Sequence, residues 1–286
     1  MKSIVRPALG ALIVLAAACA ATHAPLRIEP PALVAHTARA SPIDVEHYAL
    51  DIDLAPQTRS IRATCRVRFY ARDAGLSEIA LDLVGLEVES VVDAEGSALR
   101  FEHAAGKLTI QLAPPPAPGD SAEVAIRYSG VPRKGLWFAA DVAGVATQVF
   151  TQGECEDARW WFPCIDEPSE RATSELRVEM PAGWSSIAAG ERVESRELAS
   201  GRRSDLWRMH TPHASYLTTL VAGHFVEHRS NWDGVPLVAT VRPELGEHLE
   251  ATFAPTGQVL DFLGQLTGVR YPYPKYAQAC VDNFPF

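Results

Sequence analysis

The sequence lacks most of the short motifs that assign a function class directly. It contains no Walker loop, no G-x-G-x-x-G and no G-x-S-x-G, so nucleotide-binding, dinucleotide-binding and serine-hydrolase hypotheses have no starting point. It has no dense Lys/Arg cluster and a net charge of −9, so the electrostatic signature of a nucleic-acid-binding protein is absent. None of its five cysteines forms a C-x-x-C pair, which argues against a structural zinc ribbon.

The sequence also lacks the ~20-residue apolar run that spans a bilayer as a helix. Its N-terminal apolar run, Ala8–Ala18, follows basic residues and is typical of a cleaved signal peptide over residues 1–18. Cys19 directly follows in a pattern that resembles a bacterial lipobox; either Cys19 carries a lipid, or ordinary cleavage leaves it without a role. Residues 19–41, rich in Ala and Pro, are predicted to be a tether. We therefore expect an exported protein, in the bacterial periplasm or at the outer membrane as a lipoprotein.

What the sequence does contain is a strong β-pattern. Hydrophobic residues make up 47% of the chain and charged residues 21%, which fits a globular, water-soluble protein. Apolar and polar residues alternate in short runs separated by turn signals, most clearly at Tyr48–Leu54 and Ile61–Phe69. This pattern predicts an antiparallel β-sandwich over residues 42–233. Later predicted strands are Glu175–Met180, Leu206–Met209 and Leu217–Val226.

The periodicity changes near residue 234. After a predicted strand at Leu237–Val241, the segment Gly246–Gly268 carries apolar residues at helical spacing, is interrupted by Pro255 and ends at a glycine. One strand and one helix cannot form a core of ordinary size. We therefore expect residues 234–286 to be only the start of a further α/β domain.

One string of residues matches a metal-binding motif. His224-Phe225-Val226-Glu227-His228 has the H-x-x-E-H order of inverted zinc peptidases. That chemistry needs both imidazoles on one helical face, whereas the preceding residues are apolar and β-branched, as in a strand. In a strand, residues i and i+4 lie about 13 Å apart, too far to share one zinc ion. We therefore interpret the string as strand residues at a solvent-facing end.

The densest group of functional side chains is Thr151–Pro168, which combines acids, one arginine and three consecutive aromatics. It is either a binding loop, in which a carboxylate near aromatic rings recognises a cation, or a structural loop. In the structural interpretation, a buried Arg159–Asp166 pair closes the loop while Trp160–Phe162 pack on the sandwich. We favour this structural interpretation for most residues of the segment. Asp166 and Glu167 are poor paired catalytic carboxylates, because neighbours in an extended loop point apart.

The cysteines give less information. An exported protein can form disulfides, but spacing alone leaves open whether Cys155 and Cys164 pair. Cys65 alternates with apolar neighbours and is predicted to be a buried core residue.

The segment Thr151–Pro168 also resembles the N-terminal domain signature of the aminopeptidase N family of zinc metallopeptidases, the gluzincins. The family pattern runs T-Q-x-E, D-A-R, F-P-C-x-D-E-P and K-A. This chain carries Thr151-Gln152-Gly153-Glu154, Asp157-Ala158-Arg159 and Phe162-Pro163-Cys164-Ile165-Asp166-Glu167-Pro168, with Arg171 in place of the usual lysine. Tyr128-Ser129-Gly130 and Tyr271–Tyr276 agree in order, so the resemblance covers residues 42–286.

The resemblance implies a saddle-like β-domain followed by the first strand and helix of a thermolysin-like catalytic domain, truncated before the zinc-binding motifs. It implies that Glu154 binds the substrate α-ammonium and that Gln152 lines the first side-chain pocket. Arg159, Asp166 and Glu167 belong to a structural motif. No catalytic residue or metal ligand is assigned in this chain, because zinc and the general base are expected in the missing C-terminal part.

The resulting hypothesis is the N-terminal portion of an aminopeptidase that removes amino acids from peptides with a free N-terminus, inactive by itself. The alternative is a non-catalytic envelope lipoprotein that keeps the β-domain as a binding module. We expect no nucleic-acid partner, and membrane contact only through a lipid at Cys19. The preferred N-terminal residue and the oligomeric state are left open.

Overall fold

The computed structural model of the chain describes residues 41–140 and 144–285. The predicted signal peptide, most of the tether and Cys19 lie outside these residues. Within them, no helix combines the length and the apolar character needed to cross a membrane. The strands are β1 (Ile43–Ala55), β2 (Ser60–Ala71), β3 (Glu78–Asp82), β4 (Glu87–Asp93), β5 (Phe101–Ala104), β6 (Lys107–Gln111), β7 (Ser121–Gly130), β8 (Leu136–Ala140), β9 (Ala146–Thr151), β10 (Arg171–Met180), β11 (Ser185–Ala188), β12 (Glu191–Glu197), β13 (Arg203–Ala214), β14 (Leu220–Gly223), β15 (Val226–Trp232), β16 (Val235–Val241) and β17 (Tyr276–Ala279); the α-helices are α1 (Leu249–Phe253) and α2 (Thr256–Thr267).

The largest sheet has the strand order β12-β13-β10-β1-β2-β7-β4. At its centre, β1 and β2 pair so that Leu50 lies opposite Cys65 and Ile52 opposite Ala63, and all four side chains are buried. The predicted mainly β fold and the core position of Cys65 are confirmed. Neighbouring strands run antiparallel, except that β1 and β10 are parallel.

Two smaller sheets, β11-β14-β9-β8 and β3-β6-β5, complete the sandwich. Leu81 of β3, Ile110 of β6, Val149 of β9 and Leu220 of β14 belong to the same buried cluster as Leu50 of the large sheet. Removing this apolar surface from water is the main force that holds the layers together. The sheets thus share one core, and their connecting loops lie at its margins.

The predicted strand Leu217–Val226 is wrong in its bounds. Ser215–Leu217 forms a turn of 3-10 helix, and β14 covers only the middle of the predicted strand. The chain bends at the exposed His224, and β15 then joins a different sheet. An apolar, β-branched run does not show where a strand leaves one sheet for another.

The strands β15, β16 and β17 form a separate three-stranded sheet, on which α1 packs through Leu249. The predicted helical segment forms as α1 and α2, which are separated near Pro255; α2 ends at Gly268, whose φ of 71° is left-handed. The boundary predicted between residues 233 and 234 falls in the turn joining β15 to β16. Therefore β15, assigned to the first domain, pairs with a strand of the second.

Candidate functional site

The segment 151–168 connects β9 to β10 and is fixed to the end of β3 by main-chain hydrogen bonds. The main-chain N of Asp82 donates to the carbonyl of Cys164 at 2.7 Å, and the main-chain N of Cys164 donates to the carbonyl of Asp82 at 3.1 Å. The main-chain N of Val84 donates to the carbonyl of Arg159 at 2.9 Å. The loop therefore belongs to the sandwich and has a defined position on it.

Asp166 is the centre of a buried polar cluster. Its Oδ2 accepts hydrogen bonds from the main-chain N and the Nε of Arg159, at 3.1 and 3.0 Å, and its Oδ1 accepts one from Ser215 Oγ at 2.7 Å. The Asp166 side chain is only 1% exposed. Burial by itself lowers the pKa of Arg159, but the hydrogen bond to Asp166 and the charges of Asp82 and Glu156 outweigh it and raise that pKa. The guanidinium is therefore charged at all ordinary pH values.

The consecutive aromatic side chains hold the loop onto the core. Trp161 and Phe162 are fully buried, whereas Trp160 is half-buried. Phe162 meets Tyr48 edge-to-face, with ring centroids 5.6 Å apart, and Tyr128 Oη donates to the carbonyl of Trp161 at 3.0 Å. These contacts and the Asp166 cluster give residues 158–166 a structural role.

The acidic turn at the start of the loop differs from the rest because it faces solvent. The main-chain N of Gln152 donates to the Gly135 carbonyl at 2.9 Å, and Gln152 Oε1 accepts the main-chain N–H of Glu154 at 2.6 Å. A Cβ on Gly153 would lie 2.5 Å from the carbonyl oxygen of Tyr216, so only glycine permits this contact. In the described part of the chain, the exposed Glu154 carboxylate has no hydrogen-bond or ion-pair partner. A fixed turn with an unneutralised carboxylate is suited to bind a cation.

The structure thus brings the predicted site residues together in two groups. Gln152 and Glu154 form the exposed turn, and Arg159 and Asp166 form the buried pair. Glu167 is half-buried beside that pair, and its carbonyl accepts a hydrogen bond from the next turn.

The sequence analysis missed two members of the buried cluster. Asp82 lies 84 positions before Asp166, and Ser215 lies 49 positions after it. Asp82 directly follows the apolar run Ile79–Leu81 of β3, and this is the one sequence signal that points to it. No comparable sequence pattern points to Ser215.

Across residues 41–140 and 144–285, no group of three or more His, Cys, Asp or Glu side chains is arranged to hold a metal ion. His224 is exposed at a bend, and His228 lies in β15. Glu227 pairs with Arg229 on the same strand. The H-x-x-E-H string is therefore not helical, and its residues do not fit a zinc site.

The four described cysteines are free thiols, including Cys155 and Cys164, whose pairing the sequence leaves open. Burial raises the pKa of the Cys164 thiol well above its usual value, so this thiol is unreactive. Cys155 and Cys280 are exposed.

The protein family described as Peptidase M1 N-terminal domain matches residues 44–217. An aminopeptidase N of Streptomyces lividans is 31% identical over 261 residues, which cover 86% of this chain and 29% of that protein. An aminopeptidase N of Acetobacter pasteurianus is 26% identical over 243 residues, covering 83% of this chain and 67% of that protein.

Solved structures agree in fold. An M1 zinc metallopeptidase from Deinococcus radiodurans gives a TM-score of 0.75 at 23% identity, over 87% of this chain and 58% of that one. A variant of that enzyme bound to a Tyr-Ser-Ala substrate also gives a TM-score of 0.75, at 24% identity, over 87% of this chain and 59% of that one. At this level of identity, the likeness concerns the fold alone.

Proposed function

Because the chain belongs to the M1 peptidase family through its N-terminal domain, we propose that it is the β-domain portion of a zinc-dependent aminopeptidase. In this proposal, residues 42–233 are the β-domain and residues 234–286 begin the catalytic domain. Zinc and the general base come from polypeptide beyond this sequence. The coverage supports this: the chain spans 29% of the length of the Streptomyces aminopeptidase N.

The observation that carries the proposal is the exposed carboxylate of Glu154 on its fixed turn. A peptide with a free N-terminus presents an ammonium, which forms charge-assisted hydrogen bonds with a carboxylate. An acetylated N-terminus is a neutral amide with a single N–H, so it leaves the carboxylate without an ion-pair partner. Gln152 fixes the turn through Oε1 and, in this proposal, also lines the pocket for the first substrate side chain.

The test uses the longer protein that contains this chain, with Glu154→Gln and the control Glu156→Gln. Glu156 is a second exposed carboxylate of the same loop, but it pairs with Arg159. A hydrogen bond to a charged group contributes ~1.5–3 kcal/mol, so Glu154→Gln is expected to lower kcat/KM for alanine p-nitroanilide by about 10- to 100-fold. The control is expected to keep the wild-type value.

Glu154 has no role in recognition if the variant keeps the wild-type preference for free over acetylated N-termini. The proposal as a whole fails if the longer protein shows no zinc-dependent release of amino-acid anilides. The 286-residue chain by itself is expected to release none and to bind no stoichiometric zinc.

Export of the protein is part of the same proposal. It is supported by the basic residues and the apolar run at the N-terminus, with Cys19 as the lipid attachment site. Separation of cells into cytoplasmic, periplasmic and membrane fractions tests it: a protein found in the cytoplasmic fraction would contradict export.

A further inference from the structure

A cavity of about 360 Å³ lies between the sheet β11-β14-β9-β8 and the segment from Tyr271 to Phe284. Its size is that of a site for a small organic molecule. The walls are mostly apolar and include Met209, Leu217 and Val221. Lys275 is the one lysine or arginine among the lining residues, and no Asp or Glu is among them.

Lys275 has fewer partners than its ammonium group can bind. Its Nζ donates to the carbonyl of Ala188 at 2.7 Å and lies 4.8 Å from the ring centroid of Trp207. An ammonium carries three N–H donors, so this hydrogen bond leaves two of them. Among residues 41–140 and 144–285, Lys107 pairs with Asp82, whereas Lys275 has no carboxylate partner.

The electrostatics around Lys275 also favour an added anion. Burial, followed by the charge of Arg229, lowers the pKa of Lys275 to about 8, against smaller opposite effects of Glu227 and Glu191. Lys275 also lines a second cavity, of about 190 Å³, together with Glu191, Glu227, Arg192 and Arg229. In the first cavity, the other titratable groups are His213 on β13 and Tyr271 and Tyr273 on the segment of Lys275 itself. Burial lowers the pKa of His213, so its imidazole is neutral near pH 7. A carboxylate at this site would stabilise the ammonium form of Lys275.

We propose that this cavity binds a small carboxylic acid with an apolar or aromatic body, whose carboxylate accepts hydrogen bonds from Lys275. The body contacts Met209, Leu217 and Val221. Charge complementarity defines this ligand class, because an apolar cavity with one under-partnered ammonium suits a molecule with one carboxylate and an apolar remainder. The proposal does not depend on the aminopeptidase function, and its test measures no turnover.

The test follows Lys275 directly. The chain contains four lysines, and Lys2 lies in the proposed signal peptide. In residues 19–286, labelling lysine with ¹³C at Cε therefore gives three signals, from Lys107, Lys134 and Lys275, whose titrations can be separated by NMR. With phenylacetate as the probe, the pKa of Lys275 is expected to rise by about one unit or more, while that of the exposed Lys134 stays constant. The neutral analogue 2-phenylethanol is expected to leave both unchanged.

Two variants make the result specific. Lys275→Met keeps an apolar stem and is expected to lose phenylacetate binding, whereas Lys134→Met is expected to bind like the wild type. If Lys275→Met does not fold, the wild-type titration still decides. A Lys275 signal unchanged at ~10 mM phenylacetate, or equal binding by Lys275→Met, overturns the proposal. The proposal is also overturned if ultracentrifugation shows that the wild type is a dimer and Lys275→Met is a monomer. A second copy of the chain, and not a small carboxylic acid, would then occupy the cavity.

Discussion

Replacing Asp166 by alanine is expected to destabilise the fold strongly, because it leaves a partly buried arginine without its most buried partner. The change removes the acceptor for two Arg159 donors and for Ser215 Oγ. Breaking a buried ion pair from one side costs about 3–5 kcal/mol. Arg159 is 23% exposed and keeps Asp82 and Glu156 nearby, which favours the lower end, about 3 kcal/mol.

Urea unfolding followed by tryptophan fluorescence measures this loss. The control is Glu156→Ala, because Glu156 contacts the same guanidinium at 2.8 Å but is 56% exposed. Exposed ion pairs contribute roughly 0–1 kcal/mol, so this variant is expected to unfold close to the wild type. If the two variants lose the same free energy of unfolding, burial does not determine the strength of the Asp166 pair, and the reasoning above is refuted.

Two further predictions concern a glycine in close contact with the main chain and a buried histidine. A Cβ on Gly135 would lie 2.0 Å from the Asp157 carbonyl oxygen, whereas Gly75, at nearly the same φ, has nothing within 4 Å. Gly75→Ala is therefore expected to cost ~1–2 kcal/mol in urea unfolding, and Gly135→Ala clearly more; equal losses would contradict the contact. Burial lowers the pKa of the His213 imidazole below 6.5. As the pH falls, the unfolded chain therefore protonates at this histidine before the folded chain does. The free energy of unfolding is expected to fall as the pH drops below about 6.5. His213→Gln is expected to make the free energy of unfolding depend less on pH in this range. If the dependence is unchanged, other groups cause it.

The strands that the sequence predicts well are those with one buried and one exposed face. In β2, and in β1 from Tyr48 onward, strict alternation reflects a sheet with the core on one side only. Strands β8 and β9 were not predicted, because runs such as Val149 and Phe150 are buried on successive residues and give no alternation. Alternation also assigns faces and not directions, so the parallel pairing of β1 with β10 has no sequence signal.

The candidate site divides in the same way. Arg159 and Asp166 are seven positions apart in one loop, so their pairing follows from local charge and burial. The contact of Gly153 with Tyr216 and the bond from Ser215 to Asp166 depend on how β14 is placed beside β9. Such long-range packing is decided by the whole core, and a single sequence does not display it.

The parallel pairing of β1 with β10 has a consequence for how the chain folds. His47 lies opposite Thr173, 126 positions later, whereas β2 follows β1 almost immediately. At a synthesis rate of about 5–20 residues per second, one edge of β1 is without its partner for roughly 6–25 s. During that interval its main-chain N–H and C=O groups are a template for pairing with other chains. The central strand of the folded sheet is thus an edge strand until β10 has been synthesised. Pairing of strands that are so far apart in the sequence makes folding slow.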